Sequence, residues 1–82
     1  HEDLSKAMDL EYERVVFHKA SEQVRTAVAD RTWEAFWLTA INGLPITEVA
    51  QRLETRPGNI YVSRSRVMAR IKRIVAEYEA QE

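Results

Sequence analysis

Hydrophobic residues along these 82 positions recur at helical spacing, and alternation with a period of two is nearly absent. From roughly Asp3 to Val28 the chain holds no Gly or Pro. Leu4, Met8, Tyr12, Val15, Val16 and Phe17, then Val24 and Val28, predict one long amphipathic helix, with a break near Ser21 as the alternative. Asp30 and Thr32 are placed to cap a second helix, and Glu34 adds a favourable carboxylate to its first turn. That helix puts Trp33, Phe36, Trp37 and Ala40 on one face and stops at Asn42-Gly43, a C-terminal signal. A third, short helix starts near Pro45, because proline suits a first-turn position. Its buried stripe is Ile46, Val49, Ala50 and Leu53, and Glu48 stands near its positive end.

The next stretch, "RLETRPGNIYVSRSRVMARIKR" over residues 52–73, holds the only Pro-Gly pair in the chain. Such a pair usually marks a turn, and Ile60-Tyr61-Val62 would then be a strand. No partner strand is available elsewhere, and an isolated strand cannot satisfy its backbone. Read as a start instead, Pro57 is the first residue of a fourth helix and Arg56 its N-cap. Counting 100° per residue from Ile60, the residues Val67, Ile71, Ile74 and Tyr78 all fall within about 40° of it. Asn59, Val62, Ser65, Arg66, Ala69 and Arg73 lie opposite. The helical reading wins. Gly58 then costs about 1 kcal/mol of helix propensity relative to Ala, so something else must favour a small residue there.

Charge sharpens the picture. The net charge is −1, which alone argues against a nucleic-acid binder. Its distribution argues the other way. Residues 1–50 hold five Lys/Arg and nine Asp/Glu, residues 51–73 hold seven Lys/Arg against Glu54 alone, and residues 74–82 hold three Glu. A net +6 concentrated in one segment is an electrostatic footprint, unless it is simply a solvated helix face.

Two helices joined by a turn of three or four residues, the second basic and abruptly started, describe a helix-turn-helix. A small residue in the first helix lets the second cross closely, which is where Ala50 stands, and Leu53 and Ile60 close the corner. Entry into a major groove about 12 Å wide requires a lean helix start. Gly58, Asn59 and Ser63 supply it, with free backbone N–H groups that favour a phosphate. Asn59 is a candidate reader of adenine, or else a helix-start residue bonding its own backbone; Ser63 can serve either base role, and Val62 can meet a thymine methyl. Arg52, Arg56, Arg64 and Arg66 are candidates for the phosphate backbone. Arg64 falls on the core side, where snorkelling along the helix packing is the simpler expectation. For Tyr61, stacking, packing and phosphate contact stay equally open. Arg70, Lys72 and Arg73 either balance the acidic tail and the macrodipole or meet DNA.

Other chemistry is sparse. There is no cysteine, so no disulfide and no thiolate metal site, and His1 and His18 make no metal spacing. Glu11 with Glu13, and Asp9 with Glu13, read as a solvated helix face. No serine sits in a G-x-S-x-G context, Gly43 and Gly58 cannot form a phosphate-cradling loop, and the Trp33/Phe36/Trp37 stripe reads as core rather than a ligand box. A non-enzyme without cofactor is expected. The uncharged runs are far shorter than the roughly 18–20 apolar residues of a membrane span. The opening His1-Glu2-Asp3 has no signal-peptide pattern and reads as a fragment with a tag remnant, so cytoplasm is the default location.

The segment "RTWEAFWLTAINGLPITEVAQRLETRPGNIYVSRSRVMARIKR" resembles region 4 of bacterial sigma factors, especially the extracytoplasmic-function (ECF) group. The likeness rests on an aromatic-rich helix, a Gly, a short "EVA..L" helix, then "GxIYVSRSRV" opening a longer one; it covers roughly residues 30–75. It implies an all-α fold: a small bundle of about four helices with a C-terminal helix-turn-helix and an extended recognition helix. Residues 1–29 would be a lead-in helix and residues 30–82 the region 4-like domain. The resemblance implies promoter recognition at the −35 element for transcription initiation, docking on the RNA polymerase β-subunit flap, and an anti-sigma factor as a further partner. Carried over by position, Arg56, Pro57, Gly58, Asn59, Tyr61, Val62 and Ser63 would face DNA, with Arg64 and Arg66 on its backbone. Two departures stand out: Glu54 holds a turn position usually glycine, with Thr55 at a usually apolar one, and Arg56 stands where a Ser or Thr cap is usual. A two-component-regulator type of helix-turn-helix and a helical protein-interaction module are the competing readings. The promoter-melting region has no counterpart in these residues, so this chain alone is not expected to initiate transcription.

Overall fold

The computed structural model describes residues 2–81, with side chains described from Leu10 onward. His1 therefore lies outside the described residues, and Leu4, Met8 and Asp9 outside the described side chains. Four helices are present among the described residues: α1 (Glu2–Ala27), α2 (Asp30–Phe36), α3 (Ile46–Arg52) and α4 (Pro57–Ala80). A π-helical turn, Trp37–Ile41, continues α2. The architecture is all-α, and α4 packs against each of the other three helices.

The core has two connected lobes, both touching α2 and α4. Ala20 and Val24 of α1, Phe36 of α2, and Val67 and Ile71 of α4 form one. Ala35 of α2, Val49 and Ala50 of α3, and Ile60 of α4 form the other, closed by Leu38, Leu44, Ile46 and Leu53. Adjacent residues Ala35 and Phe36 thus face different lobes, which fixes the rotation of α2 about its axis. The apolar stripe of α4 falls where its 3.6-residue period placed it: Ile60, Val67 and Ile71 are buried, with Ile74 and Tyr78 half-buried behind them.

α1 is the one long helix expected, continuous through the buried Ser21. Other local expectations need correction. The face of α1 that meets the bundle is Val16, Ala20 and Val24, a repeat of four, joined by Ser21, whereas Tyr12 and Val15 are 41% and 42% exposed. Ala20, at zero exposure, sits among Phe36 of α2 and Val67 and Ile71 of α4. Neither Asp30 nor Thr32 caps α2. Only Val28 and Ala29 link the two helices, and the N-cap is Ala29, in extended torsions, whose methyl offers no side-chain cap. Asp30 is the first helical residue and acts instead as a carboxylate in the first turn. α3 begins at Ile46 with Pro45 as its N-cap, so it starts near Pro45 as expected.

The π-helical turn was not foreseen. Thr39, buried, donates its hydroxyl to the Ala35 carbonyl at 2.7 Å, and the Asn42 amide reaches back to the Trp37 carbonyl at 3.0 Å. Gly43 then takes φ 71°, and the Leu44 amide closes on the Leu38 carbonyl at 3.0 Å. The expected single aromatic face splits as a result. Phe36 is fully buried and Trp33 and Ala40 pack beside it, but Trp37 is exposed and stacks on Trp33 with centroids 5.9 Å apart.

Candidate nucleic-acid interface

The turn from α3 to α4 is closed by three backbone bonds. The Leu53 amide donates to the Val49 carbonyl at 2.9 Å, Glu54 to Gln51 at 3.2 Å, and Thr55 to Ala50 at 2.9 Å. The last two bonds together are the Schellman arrangement, which demands a left-handed residue at its centre. Glu54 fills that place with φ 53°. Glycine would sit there without cost, whereas a Cβ costs about 1–2 kcal/mol. Arg31, from the first turn of α2, donates its guanidinium to the Leu53 carbonyl at the end of α3.

Arg56 is the extended N-cap of α4, without a side-chain cap bond, and Pro57 is its first residue. Proline needs no backbone partner there, and its fixed φ already suits the first turn. Gly58 is exposed, and a Cβ built on it would meet nothing within 4 Å. Neither packing nor torsion inside the protein requires a glycine at this place. Asn59 is exposed; its side-chain amide donates to the Thr55 hydroxyl at 2.7 Å rather than to its own backbone. Ser63 is half-buried beside it, in a polar cleft of about 160 Å³ that also borders Arg31, Thr32 and Thr55.

Tyr61 and Val62 stand out at 58% and 47% exposure, large side chains with little cover near a helix start. Arg66 is exposed on the same side as Asn59 and Val62, and Arg70 and Arg73 continue that side along the helix. From Asn59 to Arg73 this face runs about 21 Å at 1.5 Å per residue. Arg64 is exposed, on a flank of α4 with Tyr61, Met68 and Lys72.

Two cations form ion pairs among the described residues, both off α4, whereas Lys19, Arg25 and Arg31, like the cations of α4, have no carboxylate partner. Arg52 reaches Glu48 at 3.3 Å, and Arg14 reaches Glu11 at 3.5 Å; both pairs are exposed. Arg56, Arg64, Arg66, Arg70, Lys72 and Arg73 have no carboxylate within 4.0 Å among the described residues, so they do not balance Glu77 or Glu79 directly. Six exposed, unpaired positive charges thus line α4 and its cap. Arg31 and Thr55 are the two site residues that sequence reasoning passed over. Only the packing of α2 against the turn brings Arg31 there.

A second concave surface lies between α1 and α2, a groove of about 440 Å³ floored by Phe17, Trp33, Trp37 and Leu38. Arg14, His18 and Arg25 line its α1 side together with Ser21, whose buried hydroxyl has no hydrogen-bond partner. Among the described residues no cluster of His, Asp or Glu is arranged to hold a metal ion. Nor is any helix long and apolar enough to cross a membrane. Comparison of the chain with family models, with curated proteins and with solved structures gave no match in any of the three.

Proposed function

We propose that this chain is a DNA-binding domain in which α3, the turn and α4 act as a helix-turn-helix, with α4 entering the major groove. More particularly, it serves as the −35-reading region of an ECF-type bacterial sigma factor, working in the cytoplasm in transcription initiation. The observation that carries the reading is the unpaired cationic surface of α4 combined with a helix start kept thin for no internal reason. Phosphates are the chemistry that six exposed Arg and Lys side chains without carboxylate partners are suited to. Base edges are what Asn59 and Val62, past a start kept lean by Gly58, can approach.

The α1–α2 groove supports a second contact in the same protein. Exposed Trp37 stacked on Trp33, above Phe17 and Leu38, offers an apolar seat away from the basic helix. Docking on the β-subunit flap of RNA polymerase, or capture by an anti-sigma factor, would use a surface of this kind. The same groove favours, as the second reading, a helical module whose chief partner is protein.

The deciding experiment measures affinity of the chain for a duplex carrying a −35-like element and for a shuffled duplex of equal length. Preference for the former supports the proposal. Equal affinity would reduce the domain to a non-specific binder, and no binding at low salt would favour the protein-interaction reading.

A further inference from the structure

We infer that Arg31 is a positioning residue that holds the α3–α4 turn and, through it, the side chain of Asn59. What this says of base preference rests on the DNA-reading role proposed above; what it says of the turn rests on geometry alone. The Leu53 carbonyl, which accepts from the Arg31 guanidinium, belongs to the peptide immediately before Glu54. Rotation of that peptide about the Glu54 N–Cα bond is the φ of 53° that glycine would adopt freely and glutamate does not. A charge-assisted bond at the negative end of α3 opposes that rotation. Arg31 can act as a fixed reference because Ala35 and Phe36, one turn further along α2, are buried in the two core lobes.

The consequence passes outward through one residue. Thr55 follows Glu54, and its hydroxyl accepts the Asn59 side-chain amide at 2.7 Å. With one amide hydrogen held by Thr55, Asn59 keeps a carbonyl oxygen and a second N–H free. An acceptor beside a donor is the pair that the major-groove edge of adenine requires. Arg31, Leu53, Thr55, Asn59 and Ser63 border the same cleft, so the chain of contacts is short and continuous. A turn residue that costs free energy is thereby tied by a cation from another helix to the orientation of the candidate reading side chain.

The test compares the intact chain with Arg31→Ala, Glu54→Gly and the double variant. In ¹H–¹⁵N spectra without DNA, Arg31→Ala should shift the Glu54 and Thr55 amides and the Asn59 side-chain pair while leaving Val67 and Ile71 unmoved. Glu54→Gly, which removes the need for restraint, should bring the Thr55 and Asn59 signals back. On duplexes substituted one base pair at a time, Arg31→Ala should erode discrimination roughly fivefold or more at the position sensitive to Asn59→Ala. The salt dependence of binding should stay unchanged, and Glu54→Gly should restore the discrimination. Unmoved Thr55 and Asn59 signals would overturn the inference. So would a uniform loss of affinity with the salt slope reduced by about 0.9, which would make Arg31 a phosphate contact. If the intact chain shows no base preference, the DNA-reading role fails, and the spectra alone decide the staple.

Discussion

Replacing Glu54 by glycine should stabilise the protein. Its backbone stands at φ 53° in the centre of the Schellman turn, and it has no ion pair among the described residues to compensate. Removing the Cβ relieves about 1–2 kcal/mol of left-handed strain. The extra freedom of glycine in the unfolded chain returns about 0.4–1 kcal/mol of that. A net gain of about 0.5–1 kcal/mol raises Tm by about 2–8 °C for a domain of this size. Loss of the carboxylate just past the negative end of α3 also helps slightly, so Glu54→Ala is the needed control. Alanine removes the same charge but keeps the Cβ. Thermal and urea unfolding of the three proteins should rank glycine above alanine by about 1 kcal/mol. Equal stability of the two variants, or alanine above glycine, would refute the strain at this turn.

Ser21→Ala should be neutral to stabilising by about 1 kcal/mol, since it deletes a buried hydroxyl without a hydrogen-bond partner; urea unfolding reads it, and a loss above 1 kcal/mol would mean the hydroxyl has a partner in solution. Thr39→Val should cost about 1 kcal/mol, because the buried Ala35 carbonyl loses its side-chain donor at the π-helical turn; an unchanged unfolding midpoint would show that the hydroxyl does not hold that turn. On duplexes, Asn59→Ala should cost about 1–3 kcal/mol at one base position, whereas Arg66→Ala should weaken binding evenly and lower the salt slope by about 0.9. Identical profiles for these two variants would remove Asn59 as a reader.

What could be read from the sequence was governed by local physics. Pro57 as a helix start depends only on its own ring and the residue before it, and the α4 stripe from Ile60 to Ile71 depends only on the helical period. The strain at Glu54 was anticipated through the family resemblance, which puts glycine at that turn position, and its φ is positive. Tertiary terms were not visible. Ala20 and Ala35 carry little hydrophobic signal yet are fully buried in the core, at 0% and 1% exposure. The π-helical turn rests on a buried threonine hydroxyl, a bond that residue type alone does not announce. Arg31 carries no local signal of its partner, since the Leu53 carbonyl is 22 residues away. The exposed, basic face of α4 was therefore legible, while the contacts that hold the turn before it were not.

The central claim is that the unpaired cations of α4 meet DNA phosphates, and the salt dependence of duplex binding tests it most directly. With at least four of the six engaged, log affinity should fall against log salt with a slope of about −3.6 or steeper. Between 50 and 200 mM salt the affinity would then drop about 150-fold. A slope shallower than about −1 would contradict the account, because the charges on α4 would then not be contacting phosphates.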